Sequence, residues 1–175
     1  NDNNPIFTSD NTFSSDENQT SIGVVIASDA DNNLITYTIS GSEININPSS
    51  GVIAFVSAPN YEIKNSYTAT VTASDGTNSI NQEILININN VIEAPKITSL
   101  ENYTVPENQK SIGTVVVSNP ENDDLIFSIS GTDIYISQLG ELSFYTAPDY
   151  ETQTSYTANI TVTGGENTVN QFIDI

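Results

Sequence analysis

Cysteine, histidine, tryptophan and arginine are all absent from this 175-residue chain. Without Cys or His there can be no thiolate or imidazole metal site, no nucleophile paired with an imidazole base, and no disulfide staple. The lack of Trp removes the usual flat platform for a sugar ring. Basic residues are nearly as scarce: three lysines stand against 22 Asp and Glu, for a formal net charge of -19. That balance speaks against nucleic acid or an anionic membrane as partner and makes cations the natural one. No apolar run approaches the ~18 residues of a membrane span, so no direct membrane insertion is expected from this stretch. No charged, apolar, then small-residue signal opens the sequence, which reads as an internal stretch of a longer protein. Neither a Gly-x-Ser-x-Gly elbow nor a phosphate loop occurs.

What is present is written twice. Asp-Glu-Asn-Gln-Thr-Ser-Ile-Gly from Asp16 returns as Pro-Glu-Asn-Gln-Lys-Ser-Ile-Gly from Pro106, ninety residues on. The stretch Ser-Ala-Pro-Asn-Tyr-Glu from Ser57 returns from Thr146 at an offset of 89. A near-constant offset over such a span means two copies of one unit of small-domain size. The sequence places the division at residues 1–93 and 94–175, the second copy's final strand running to the last residue, with Pro95 interrupting strand pairing at the junction.

Each copy reads as all-β. Short runs rich in Val, Ile, Thr and Tyr alternate with Asn, Asp, Ser, Gly and Pro, and no segment shows a 3.6-residue period. In Ser66–Ser74 the alternating set Tyr67, Ala69, Val71 and Ala73 is predicted to face inward and Thr68, Thr70 and Thr72 outward. One buried and one wet face predict antiparallel sheets packed as a sandwich. Six or seven strands per copy is the immunoglobulin-like size class.

The acidic residues collect at turns. Asp29 and Asp31 follow the first strong strand, Glu17 precedes it, Asn60 and Glu62 sit in the Ala-Pro-Asn-Tyr-Glu turn, and Asp75 ends another strand. Alternate strands run in opposite directions, so Glu17 and Glu62 are expected at one end of the sandwich and Asp29, Asp31 and Asp75 at the other. Carboxylates held together repel, and a hard divalent cation taking 6 to 8 oxygens at roughly 2.3–2.6 Å relieves that repulsion. Calcium suits such a site better than magnesium, which demands near-octahedral geometry and keeps its waters. Asp and Asn also make turns with no metal at all, so a metal-independent spacer is the plain alternative.

In both copies these motifs resemble the cadherin repeat, of the kind also found in large bacterial surface proteins. Asn1 to Phe7 is similar to the linker before such a repeat, and Asp-Glu-Asn and Pro-Glu-Asn to its glutamate motif. Ala-Ser-Asp-Ala-Asp is similar to its paired aspartates, Ala-Pro-Asn-Tyr-Glu to its tyrosine-glutamate turn, and Ala-Ser-Asp-Gly to its last aspartate. The resemblance implies two tandem seven-stranded Greek-key sandwiches arranged end to end, with Ca2+ between repeats. Carried over residue by residue, it implies that Glu17, Asn60 and Glu62 of the first copy, Asn90 and Glu93 of the linker, and Asn119 and Glu121 of the second copy hold the junction. Asp2, Asp29, Asp31 and Asp75 would serve a preceding repeat, and Glu107, Asp149 and Glu151 a following one.

The junction departs from the family's pattern. The linker is a residue short, Ile92 stands at a usual ligand position, Asn119 and Glu121 replace two aspartates, and Gly164 occupies the place of Asp75. Fewer than the family's usual three ions are therefore expected there, held more weakly. The functional expectation is a calcium-stiffened, non-enzymatic stretch of an extracellular adhesin or stalk at the cell surface. Its partners would be calcium ions, neighbouring repeats of the same chain, and a homophilic or heterophilic protein or a glycan. A carbohydrate-active module is the third reading, weakened by the missing Trp and by carboxylates that sit at domain ends.

Overall fold

The computed structural model describes residues 3–175 and contains no helix among them. Asp2, one of the expected ligands, lies outside the described residues. The chain divides into two units, Asn1–Val91 and Ile92–Ile175.

Nine strands build the first unit: β1 Ile6–Phe7, β2 Thr12–Asp16, β3 Ser21–Val24, β4 Ala27–Ser28, β5 Thr36–Ile39, β6 Ile44–Ile46, β7 Val52–Phe55, β8 Ser66–Ser74 and β9 Ser79–Asn89. One sheet has the order β2-β9-β8-β5 and the other β3-β7-β6, with β1 paired to β4. Counting β1 with β2, and β3 with β4, as interrupted single strands gives seven. The break in the second arises where Val25 turns its N–H to the Gly51 carbonyl at 2.9 Å. Gly51 has φ +68°, and a Cβ there would run into the Val25 carbonyl oxygen, so only glycine fits.

The alternation in β8 is realised: Ala69, Val71 and Ala73 are buried and pack with Ile84, Ile86 and Ile88 of β9 against Ile44, Ile53 and Phe55 of the opposite sheet. Burying an Ile or Phe side chain in this way stabilises the fold by about 2 kcal/mol. One expectation is corrected. The sheets are not wholly antiparallel, because β2 runs parallel to β9, from Thr12 opposite Leu85 to Asp16 opposite Asn89. The first strand leaves one sheet after β1 and joins the other at β2. It crosses at Thr8–Asn11, where Thr8 and Ser9 donate to the Ile26 carbonyl and Asn11 accepts from Leu85.

The second unit repeats the plan with β10 Lys96–Ile97, β11 Ser111–Thr114, β12 Val117–Ser118, β13 Leu125–Ile129, β14 Ile134–Ile136, β15 Glu141–Phe144, β16 Thr157–Gly164 and β17 Asn167–Asp174. Its sheets are β13-β16-β17 and β11-β15-β14, with β10 on β12. The core gathers Ile134, Leu142, Phe144, Ile160, Val162 and Ile173. The counterpart of β2 is reduced to a parallel bridge between Asn102 and Asp174.

Candidate metal centre

In each sandwich the expected ligands fall on turns and strand ends. At the chain-entry end of the first unit, Asp29 caps its own turn: Oδ1 accepts the N–H groups of Asp31 at 2.8 Å and Asn33 at 3.2 Å. Asn32, with φ 60°, reverses the chain inside that turn, a conformation asparagine tolerates better than other side chains. Asp31 Oδ2 accepts both the backbone N–H and the side-chain amide of Asn3, at 2.8 and 3.0 Å. Asp75 closes the β8–β9 hairpin, its Oδ1 accepting from Thr77 at 2.7 Å and Asn78 at 2.6 Å. The Asn78 N–H is the main reason the Asp75 carboxyl is held below its ordinary value, against a smaller opposing effect of burial. Asp29 and Asp75 share a further property: in each, one oxygen serves the turn while the other, Oδ2, is shut from solvent with no hydrogen-bond donor among the described residues. A buried carboxylate oxygen lacking any donor is costly, and a cation is the group that satisfies it.

At the opposite end of the first unit Glu17 is buried, only 1% exposed. Its Oε2 accepts the Tyr61 N–H at 2.8 Å and its Oε1 the Val91 N–H at 2.9 Å. The carboxylate thus ties the start of the first sheet to the tyrosine-glutamate turn and to the segment leaving β9. Asn18, next in sequence, has φ 62° and donates its N–H to Pro59. Asn60 caps its turn through Oδ1, which accepts from Ile63 at 2.9 Å, and Asn90 donates its amide to Glu62 at 3.2 Å. Lys64 pairs with Glu43 on the same unit, and the bonds that hold Glu17 come from backbone N–H groups.

In the second unit the exit end assembles Glu107, Asp149 and Glu151, which bring one carboxylate oxygen each within 4.8 Å of the others, all exposed. Glu107 Oε2 accepts the Tyr150 N–H at 3.1 Å, and Asp149 Oδ2 accepts the Thr152 hydroxyl at 2.9 Å. The Thr152 hydroxyl is the main cause that lowers the Asp149 carboxyl below its ordinary value. These bonds fix two carboxylates in position while leaving oxygens for a cation.

The entry end of the second unit is built differently. Glu93 donates its backbone N–H to Glu121 Oε1 at 3.0 Å. Asn119 closes its turn as a donor, its amide reaching the Asp123 carbonyl at 2.7 Å, whereas the equivalent Asp29 closes its turn as an acceptor. Where Asp75 stands in the first unit, Gly164 offers no carboxylate, and a Cβ there would press on the Leu125 side chain at 3.0 Å.

No family model matches the chain. Among solved structures, the first two extracellular repeats of human protocadherin-24 superpose with a TM-score of 0.56 at 18% identity, covering 98% of this chain and 95% of that one. Drosophila N-cadherin repeats one to four give 0.59 at 19% identity, covering 99% of this chain and 49% of theirs. The fold is that of tandem cadherin-like repeats. In sequence, the chain is 32% identical over 167 residues to human protocadherin Fat 4, spanning 82% of this chain and 3% of that protein. It is 28% identical over 183 residues to human cadherin EGF LAG seven-pass G-type receptor 2, over 92% of this chain and 6% of the receptor. A chitinase A of Pseudoalteromonas piscicida is 26% identical over 152 residues, 85% of this chain and 18% of that enzyme. The chain therefore spans less than a fifth of each curated relative it matches. The expected ligands of these cadherin-like repeats sit on turns shaped by Asx hydrogen bonds and left-handed asparagines.

Proposed function

We propose that this chain is a calcium-binding, non-enzymatic pair of cadherin repeats forming a stiffened stretch of an extracellular cell-surface adhesin or stalk. The observation that carries the reading is the pair of donorless, solvent-shut oxygens on Asp29 and Asp75. The convergence of Glu107, Asp149 and Glu151 supports it from the second repeat. Bound calcium would supply the positive charge that lets such carboxylates crowd. The chain's own residues do the rest. Asx turns at Asp29 and Asp75 orient the free oxygens, and Glu17 braces the turn that carries Asn60 and Glu62. Asp29, Asp31 and Asp75, with Asp2, are proposed to hold ions at the entry end, and Glu107, Asp149 and Glu151 at the exit. Glu17, Asn60, Glu62 and Asn90, with Glu93, Asn119 and Glu121, are proposed to share fewer than three.

Thermal unfolding with and without millimolar calcium tests the reading. A ligand held by the folded state alone raises stability by RT ln(1 + [L]/Kd), about 2.7 kcal/mol at a hundredfold excess over Kd. A midpoint higher by several degrees is expected, and it should fall back when chelator is added. An unchanged midpoint would favour a metal-independent spacer, the second reading, to which Gly164 and the donor role of Asn119 lend support.

A further inference from the structure

β17 is the last strand of its sheet and pairs on one side only, with β16. Two residues near its end fix the direction of its main-chain groups. Ile175 exchanges both of its bonds with Tyr156, on the β16 side, whereas Asp174 donates to the Glu101 carbonyl and accepts from Tyr103 on the other side. Such groups alternate along an antiparallel strand, so Thr168, Asn170 and Phe172 turn their N–H and C=O the same way as Asp174. Asp174 finds partners there, while the main-chain groups of the other three have none among the described residues. A cleft of about 490 Å³ lies along this open edge, lined among others by Lys96, Ile97, Glu101, Asn170, Gln171 and Phe172. The Gln171 amide reaches the Ser99 and Leu100 carbonyls at 3.4 and 2.9 Å, which holds the edge extended. An edge so held loses little freedom when another strand is laid against it.

The first repeat has the same edge, differently furnished. There the repeat offset puts Ser79, Asn81 and Glu83 of β9 in the places of Thr168, Asn170 and Phe172. A charge such as Glu83 keeps an exposed edge from pairing. In the second repeat it gives way to a phenylalanine ring that is 60% exposed. From Asn167 to Ile173 there is no charge, no Pro and no Gly, in a chain of net charge -19. That is the composition of a strand able to pair with its like.

We infer that β17 is an interface between two copies of this chain, paired antiparallel about a two-fold axis at Asn170. Two observations pick a second copy as the occupant. The uncharged run is where two acidic molecules can approach with least repulsion, and a basic partner would be drawn to the carboxylates elsewhere. The free groups are also symmetric about Asn170. With Asn170 opposite its own copy, Phe172 falls opposite Thr168 in both directions, so three hydrogen-bonded pairs form and each ring covers a β-branched side chain. A register shifted toward the end of the strand would call on Asp174, whose main-chain groups are already taken. This pairing is independent of the calcium reading, since none of its residues is an expected ligand.

Sedimentation equilibrium of the whole chain tests it, once in chelator and once in excess calcium, up to about 1 mM because so small a contact binds weakly. A reversible equilibrium of monomer and dimer is expected in both buffers. It should strengthen severalfold with added salt, which screens the repulsion between two acidic molecules. Phe172→Glu, which restores the charge found in the first repeat, should weaken the dimer about tenfold or more. The chain has no cysteine, so a single Asn170→Cys reports the register. Hydrogen-bonded residues directly opposite one another lie about 5.5 Å apart at Cα, within the range of a disulfide. Asn170→Cys should therefore oxidise to a covalent dimer at least about tenfold faster than Asn81→Cys, its equivalent in the first repeat. This second variant keeps the proposal testable if Phe172→Glu misfolds. A chain that stays monomeric throughout, a dimer that Phe172→Glu leaves unchanged or that added salt dissolves, or equal cross-linking at Asn81 and Asn170 would overturn the proposal.

Discussion

At the scale of single residues, Glu17 concentrates the most consequence in the fewest atoms. Its two oxygens serve two backbone N–H groups from distant segments, Tyr61 and Val91, and it is almost entirely buried. Truncation would remove both acceptors at once. A hydrogen bond to a charged group contributes about 1.5–3 kcal/mol, and a buried donor left unsatisfied costs about 1–3 kcal/mol. Glu17→Ala should therefore lose roughly 3 kcal/mol in urea unfolding performed in chelator. Glu17→Gln, which retains one acceptor oxygen, should lose less. A loss in Glu17→Ala with none in Glu17→Gln would mean that Glu17 acts chiefly by filling space. The sequence marks Glu17 as a ligand through its Pro-Glu-Asn-like context. That it also ties two backbone segments together depends on distant main-chain donors, which no local motif announces.

At the scale of elements, glycine turns divide into two kinds that look alike in sequence. Gly41 and Gly51 both have positive φ, yet a Cβ at Gly41 meets nothing within 4 Å while at Gly51 it strikes the Val25 carbonyl. Gly41→Ala should cost about 1 kcal/mol, the strain of a left-handed L-residue. Gly51→Ala must also displace β4 or β7 and should cost at least about 2 kcal/mol more. Comparing the two denaturation midpoints checks this, and equal losses would contradict the clash. Strand identity was legible where strands are long. In the Tyr67, Ala69, Val71, Ala73 alternation the last three are buried and Tyr67 is half-buried, because a nine-residue strand gives period two room to show. β1 and β2 were not legible, since Ile6–Phe7 is too short for a period and Thr-Phe-Ser-Ser-Asp holds one large apolar residue. The parallel sense of β2 against β9 was hidden for another reason: alternation specifies faces and carries no direction.

At the scale of the whole chain, the repeat offset governs what can be read. Motifs conveyed which turns bear carboxylates, and the structure adds which oxygens those turns consume and which they leave. The entry end of the second repeat is where expectation and architecture leave most to calcium. β10 is only two residues long and holds to β12 through Lys96 opposite Ser118. Lys96 is exposed there, beside Glu93 with its bond to Glu121. Local opening of so short a strand admits protease, and an ion shared by Glu93 and Glu121 would raise the cost of opening. Trypsin cleavage after Lys96 should slow several-fold in calcium, relative to cleavage after Lys110. Equal slowing at both sites would point to global stabilisation, and none at Lys96 would leave Glu93 and Glu121 without a role as ligands.

The direction of β2 has a mechanical meaning. In the first repeat the strand near the beginning and the strand at the end lie side by side and point the same way, five residue pairs in register from Thr12 to Asp16. Tension drawing the two ends of that repeat apart slides β2 along β9, so the pairs bear load together instead of opening one after another like a zipper. A segment made this way resists stretching beyond what its equilibrium stability alone would suggest.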